Sequence, residues 1–188
     1  MQLIRKLFLS TEKVFFNNLV DMKFFSEVYN SWNDVQLDEY RQILNLIKDY
    51  KIKLSGKILD IGCGEGNFEK FLNENNINAD IIGIDTDKKA IEKSDLRIKI
   101  ICSGDKIPFD DNYFSVIFCL DTIHLLKKND YRRVLKKNGW LILSLFFNKQ
   151  NLDEKEKFLE SKLDGFEIVH KKIILGKENK IIILARKK

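Results

Sequence analysis

Three glycines at alternate positions, Gly62, Gly64 and Gly66, follow the apolar run Ile58-Leu59-Asp60-Ile61 and lead into Asn67-Phe68-Glu69. That break reads as strand, tight loop and helix. Glycine has no Cβ, so it accepts positive φ and lets a ligand lie against the backbone, while the free N–H groups of the following helix face the same spot. The spacing is G-x-G-x-G, with Asn67 where the dinucleotide fingerprint G-x-G-x-x-G has its third glycine, so a pyrophosphate cradle fits less well. Asp60 and Glu65 would also repel a phosphate. Nineteen residues after Gly66, Asp85 closes a second apolar run, Ile81-Ile82-Gly83-Ile84. An acid at such a strand tip can accept hydrogen bonds from two ribose hydroxyls, so loop and acid together suit an adenosine-containing ligand. Proton chemistry has two weak candidates, Tyr29 and His124. The latter follows the apolar run Tyr113 to Leu120, at the strand end where open α/β sheets place their ligands. His170 lies in a later predicted strand.

The elements that must position these groups follow from periodicity. In residues 1–50, Phe8, Phe15, Phe16, Phe24 and Phe25, then Leu37, Tyr40, Ile43, Leu44 and Ile47, recur at helical spacing. Two or three amphipathic helices are predicted there, with Asp38 and Glu39 near the start of the last. Phe68, Phe71 and Leu72 make a helix face, ended by the asparagine-rich stretch 73–78. Short strands are predicted at 81–85, 98–102 and 113–120, with a helix starting at Asp87. The apolar character of 113–120 suits burial on both faces of a parallel sheet. Residues 127–137 carry Lys127, Lys128, Arg132, Arg133, Lys136 and Lys137 against Asp130 alone. They read as a solvated helix face close to the active edge. Asn138-Gly139 supplies positive φ for a turn. A charged helix over 152–163 precedes a β-hairpin with strands at 166–175 and 180–185.

Composition bounds the rest. A chain of 188 residues is one domain's worth, large enough to bury roughly 70% of its unfolded surface. The net charge of +5 permits nucleic acid or acidic partners without demanding them. Cys63, Cys102 and Cys119 are widely spaced, with no C-x-x-C and two histidines in all, so a reduced, metal-free cytosolic protein is expected. Glu12 and Lys13 cut short the apolar N-terminal run, and no stretch reaches about 20 apolar residues, so neither export nor a membrane segment is expected.

Asp60-Ile61-Gly62-Cys63-Gly64-Glu65-Gly66 resembles motif I of the class I S-adenosylmethionine-dependent methyltransferases, in particular their small single-domain, type 11-like members. Further elements resemble that family in its order. Tyr29-Asn30-Ser31-Trp32 is similar to a Y-D-x-W lid element, with Asn30 for Asp. Ser103-Gly104-Asp105-Lys106-Ile107-Pro108-Phe109 is similar to a G-D-(x)n-L-P-F loop about two residues shorter than usual, which leaves Asp105, favoured, or Ser103 for the adenine. Phe114 to Ile117 matches F-D-x-V, with Ser115 for Asp. Arg133 to Leu143 is similar to R-V-L-K-P-G-G-x-L-x-I, with Lys137-Asn138 for Pro-Gly.

The resemblance covers about residues 25–188. It implies an α/β Rossmann-like three-layer sandwich whose seven-stranded sheet is mainly parallel, with an antiparallel strand from the C-terminal hairpin. A single domain over 1–188 is implied, with 1–50 a helical cap or lid and 51–188 the donor-binding core. The implied cofactor is S-adenosyl-L-methionine, leaving as S-adenosyl-L-homocysteine. Its implied contacts are Tyr29, Asp60, Gly62, Cys63, Gly64, Gly66, Asp85, Thr86, Asp105, Lys106 and Leu120. Asp60 would lie near the ammonium, Asp85 on the ribose and Leu120 along the methyl end. The expected activity is methyl transfer to a small-molecule acceptor in the cytoplasm, with no metal and no membrane, and with RNA as an alternative acceptor through 127–137. A catalytically silent binding or scaffold module of the same fold and a nicotinamide-dependent oxidoreductase are the competing readings.

Overall fold

A computed structural model describes residues 22–148 and 150–188, with side chains from Val35 onward. The chain divides into two units at Gln36/Leu37, and the second carries the sheet. Helix α1 (Met22–Asp49) opens the described chain. It is followed by β1 (Ile58–Ile61), α2 (Asn67–Glu74), β2 (Ile81–Asp85), α3 (Lys88–Lys93), β3 (Ile98–Ile101) and β4 (Phe114–Leu120). A 3-10 turn at Ile123–Leu125 and a single helical turn, α4 (Tyr131–Val134), lead into β5 (Leu135–Phe147). Then come α5 (Leu152–Lys162) and a hairpin of β6 (Phe166–Ile174) and β7 (Asn179–Lys187).

The seven strands form one sheet in the order β3-β2-β1-β4-β5-β7-β6. Strands β1 to β5 are parallel, while β7 runs antiparallel between β5 and β6. This is the mainly parallel sheet with a C-terminal hairpin that the sequence implied. Alternation along the strands sorts the apolar side chains onto two faces. Ile58, Val116, Phe118, Ile182 and Leu184 pack with Tyr40, Ile43 and Ile47 of α1 and Phe68, Phe71 and Leu72 of α2. Leu59, Ile61, Ile117, Cys119, Ile181 and Ile183 pack with Tyr131 and Val134 of α4 and Leu159 of α5. Helices cover both faces, as a parallel sheet with no free polar face requires.

Two expectations need correction. Asp38 and Glu39 lie in the interior of α1, because nothing between Met22 and Asp49 breaks a helix: that stretch contains neither proline nor glycine. The basic stretch is no helix face. Its helix lasts only from Tyr131 to Val134, and Lys136 and Lys137 belong to β5, whose pairing with β4 begins at Leu135. The pair Asn138-Gly139, within β5, does supply positive φ as expected, at Asn138 with 59°. The part of the predicted helical cap before Met22 lies outside the described residues.

Candidate active site

The carboxyl ends of β1, β2 and β4 meet where the strand order reverses, between β1 and β4, which is where open α/β sheets bind ligands. The glycine loop after β1 is fixed before any ligand arrives. Gly62, Gly64 and Gly66 have φ of 78°, 52° and 78°. Gly62 N and Cys63 N donate to Ile84 O at 2.8 and 3.2 Å, and Gly66 N closes a turn onto Cys63 O at 2.9 Å. Asp85, at the tip of β2, ties the loop to its neighbour. Its Oδ2 accepts from Gly64 N and its Oδ1 from Asp87 N, both at 2.8 Å. Each oxygen keeps lone-pair capacity for a further donor. A Cβ on Gly64 would meet nothing within 4 Å, so this glycine borders open space. No side chain caps the start of α2, which leaves its first N–H groups available beside the loop.

Asp60 lies under this loop, 5% exposed. Among the described residues no hydrogen bond or ion pair reaches its carboxylate. Burial, then the charges of Asp85 and Glu69, push its pKa up to about 7. An acid held this way is poised to accept a cation. The buried Cys63 thiol is likewise held well above its ordinary value, by burial first and then by Asp60 and Asp85, so it stays neutral. Its side chain lies where a Cβ on Gly83 would be, which explains the glycine inside β2.

The remaining expected contacts are dispersed around this centre. Thr86 is exposed just past Asp85, and Leu120 is half-buried at the end of β4. Asp105 is engaged by the chain itself: Oδ1 accepts from Lys127 N and Lys128 N, both at 2.8 Å. Ser103 Oγ accepts from Asp105 N at 3.1 Å, and Lys106 is exposed. The side chains of Tyr29 and Trp32 lie outside the described residues. His124 is on the exposed 3-10 turn with its ring edge-on to Phe146, and partial burial lowers its pKa against the opposing pull of Asp121. His170 Nδ1 instead meets Tyr50 Oη at 3.0 Å.

The basic residues do not all gather at the active edge, which corrects a further expectation. Arg133 and Arg132 line a groove with Asp111, Asn112 and Lys187, at the amino end of β4. Arg133 is committed to Asp130, Asp111, Ile107 O and Phe109 O, and Arg132 to Asp164 at 2.6 Å.

Sequence reasoning missed a buried ionic cluster at the tip of β4. Lys180, the second residue of β7 and 2% exposed, is paired with Asp121, with Glu39 of α1 at 2.9 Å and with Glu178 at 3.2 Å. Asp121, at a positive φ of 50°, donates its N–H to Ser144 Oγ at 3.0 Å. Thr122 beside it fills the place that a Cβ on Gly62 would need, so this tip is packed directly on the glycine loop. The one sequence signal was a pair of acids, Glu39 and Asp121, adjoining apolar positions.

Residues 59–143 match the family model of the methyltransferase domain. No curated protein matches the chain in sequence. Among solved structures, a SAM-dependent methyltransferase from Methanosarcina mazei is similar with a TM-score of 0.61 at 20% identity, over 76% of this chain and 96% of that one. The phosphoethanolamine N-methyltransferase 2 of Haemonchus contortus, solved with phosphomonomethylethanolamine and S-adenosylhomocysteine, has a TM-score of 0.61 at 15% identity, over 78% and 52%. The [4+2]-cyclase SpnF has a TM-score of 0.63 at 15% identity, over 78% and 80%, so one fold carries more than one chemistry. Residues 59–143 thus resemble a methyltransferase domain in sequence, and the sheet that carries them has the fold of these solved structures.

Proposed function

We propose that the protein transfers a methyl group from S-adenosylmethionine to a small-molecule acceptor. The observation that carries this reading is the pairing of a positive-φ glycine loop with a buried Asp60 that has no counter-charge among the described residues. The loop gives room for a ligand against the backbone, and the acids Asp60, Glu65 and Asp85 favour one that is cationic and lacks phosphate. When bound, the sulfonium supplies an activated methyl group and leaves as a neutral thioether.

The chain's own residues bind and orient. Asp60 neutralises the ammonium, Gly62, Cys63, Gly64 and Gly66 back the methionyl and ribosyl parts, and Asp85 accepts from the ribose hydroxyls. Thr86, Asp105 and Lys106 border the adenine, and Leu120 borders the methyl. Asp105 reaches the adenine with Oδ2, because Oδ1 is engaged by Lys127 and Lys128. Holding acceptor, methyl and sulfur in line can supply about 7–11 kcal/mol of the barrier to such a displacement. A small acceptor is favoured over RNA because Arg132 and Arg133 are already paired with acids.

Calorimetric titration with S-adenosylhomocysteine and with NAD tests the reading. Binding of the first and not the second is expected, and Asp85→Ala should weaken it by at least about tenfold, the loss of one charge-assisted hydrogen bond. Unchanged affinity in Asp85→Ala, or tighter binding of NAD, would refute it.

A further inference from the structure

The cluster at the tip of β4 is more acidic than its own fold needs. Lys180 supplies one ammonium to three carboxylates, Glu39, Asp121 and Glu178. With all four groups ionised the cluster carries a net charge of −2. Two of its oxygens, Glu39 Oε1 and Asp121 Oδ1, are buried and have no hydrogen-bond partner among the described residues. Glu39 is itself 2% exposed. A buried carboxylate oxygen without a donor costs free energy comparable to a lost charged hydrogen bond, so a structural ion pair alone leaves this arrangement unexplained. The groups facing the cluster from the neighbouring elements are Ser144 on β5, whose hydroxyl lies within hydrogen-bonding reach of the Glu39 carboxylate, and Tyr40 on α1, and neither brings a positive charge.

Its place in the fold says what the missing donors belong to. Asp121 directly follows Leu120, and Thr122 is packed against Gly62. Resting on the proposed donor site, this puts the cluster at the acceptor side of the methyl group. We infer that Asp121 and Glu39 recognise the acceptor as an amine, whose N–H groups complete the two orphaned oxygens and whose positive charge answers the cluster's surplus. A hydroxyl would bring one donor and no charge, and a carboxylate or phosphate would be repelled. Lys180 is a positioning residue: it holds the two acids together and touches no substrate.

The chemistry balances without a further reactant. An ammonium nitrogen has no lone pair, so the bound acceptor first gives one proton to a carboxylate of the cluster, from which it passes to water. Burial and the charge of Asp121 hold Glu39 above the usual carboxylate range, which suits it to take that proton. The free lone pair then attacks the methyl carbon, the carbon–sulfur bond breaks and its electron pair stays on sulfur. An N-methylammonium and a neutral thioether result.

The test uses the full chain and a matched panel: propyl, benzyl and indolylethyl skeletons, each carrying an amine, a hydroxyl or a carboxylate. S-adenosylhomocysteine affinity is measured first, by calorimetry, on the wild type, Asp121→Asn and Glu39→Gln. Panel members are then compared by kcat/KM for labelled methyl transfer, and by thermal shift with S-adenosylhomocysteine bound. The expected result is a preference for amines of roughly 30-fold or more, reduced to near parity in Asp121→Asn with donor affinity unchanged. Donor binding with no preference for amines, or with alcohols or acids preferred, overturns the inference and leaves the donor site standing. Absence of donor binding in the wild type overturns both. Should neither variant fold, the ranking of the panel on the wild type decides alone.

Discussion

Replacing Asp60 by Asn tests whether this acid serves a ligand or the fold. Its pKa is raised from 3.8 to about 7, first by burial and then by Asp85 and Glu69. The folded state therefore holds the proton more tightly than the unfolded chain does. Stability is fully present below about pH 4 and is lost as pH rises through about 7. Roughly three units at 1.36 kcal/mol each put the cost of ionising Asp60 at up to about 4 kcal/mol, a large share of a typical 5–15 kcal/mol total. Asn is nearly isosteric and has no charge to bury. Denaturant titrations of Asp60→Asn should match the wild type near pH 4 and show a gain of a few kcal/mol at pH 8. The ligand adds a second signature. At pH 6.5 a group of pKa near 7 is about three-quarters protonated, and an ammonium beside it would expel that proton. Calorimetry of S-adenosylhomocysteine in buffers of different ionisation enthalpy should register more than half a proton released per ligand in the wild type and none in Asp60→Asn, which should also bind more weakly. Parallel stability profiles together with no proton release would show that Asp60 is neither buried in its charged form nor in reach of the ligand.

Other outcomes follow from the same geometry. Gly62→Ala and Gly64→Ala are the same change at neighbouring positive-φ sites, yet only the first meets Thr122. Thermal unfolding should show a loss of about 1 kcal/mol for Gly64→Ala and two to three times that for Gly62→Ala, and equal losses would contradict the packing of the two strand tips. Arg133→Met removes a guanidinium that bonds Asp130, Asp111 and two carbonyls, so denaturation should show a loss of about 2–4 kcal/mol, whereas Lys127→Met should stay within 0.5 kcal/mol. Thiol labelling should modify Cys102 first, since Cys63 is 7% and Cys119 0% exposed and burial raises the pKa of both. Fast reaction of Cys119 would mean that the core opens.

Local physics made the centre of the sheet legible. The run Ile81 to Asp85 is a strand with those bounds, because five residues between an asparagine-rich turn and an N-capping Asp87 leave it no other extent. The glycine loop was readable for the same reason, as its φ values demand the residue type. What escaped was set by tertiary structure. Helix α1 continues through Asp38 and Glu39 because its buried stripe, from Tyr40 to Ile47, is held by the sheet. In the basic stretch, pairing with β4 draws Leu135 into a strand despite the helical spacing before it. In the sequence Lys180 only opened the second strand of the predicted hairpin. Only the insertion of β7 beside β5 sets it against Glu39 and Asp121, and no spacing rule links residues so far apart in the chain.

That insertion has a consequence for how the molecule is made. The strand that carries Lys180 is the last of the seven to leave the ribosome, yet it must slot between two strands already synthesised. Until it does, Glu39 and Asp121 have no counter-charge and β5 has an open side. Completion of the sheet is thus withheld until the late hairpin docks, and a shortened product lacking it would present an unfinished, adhesive border rather than a smaller stable domain.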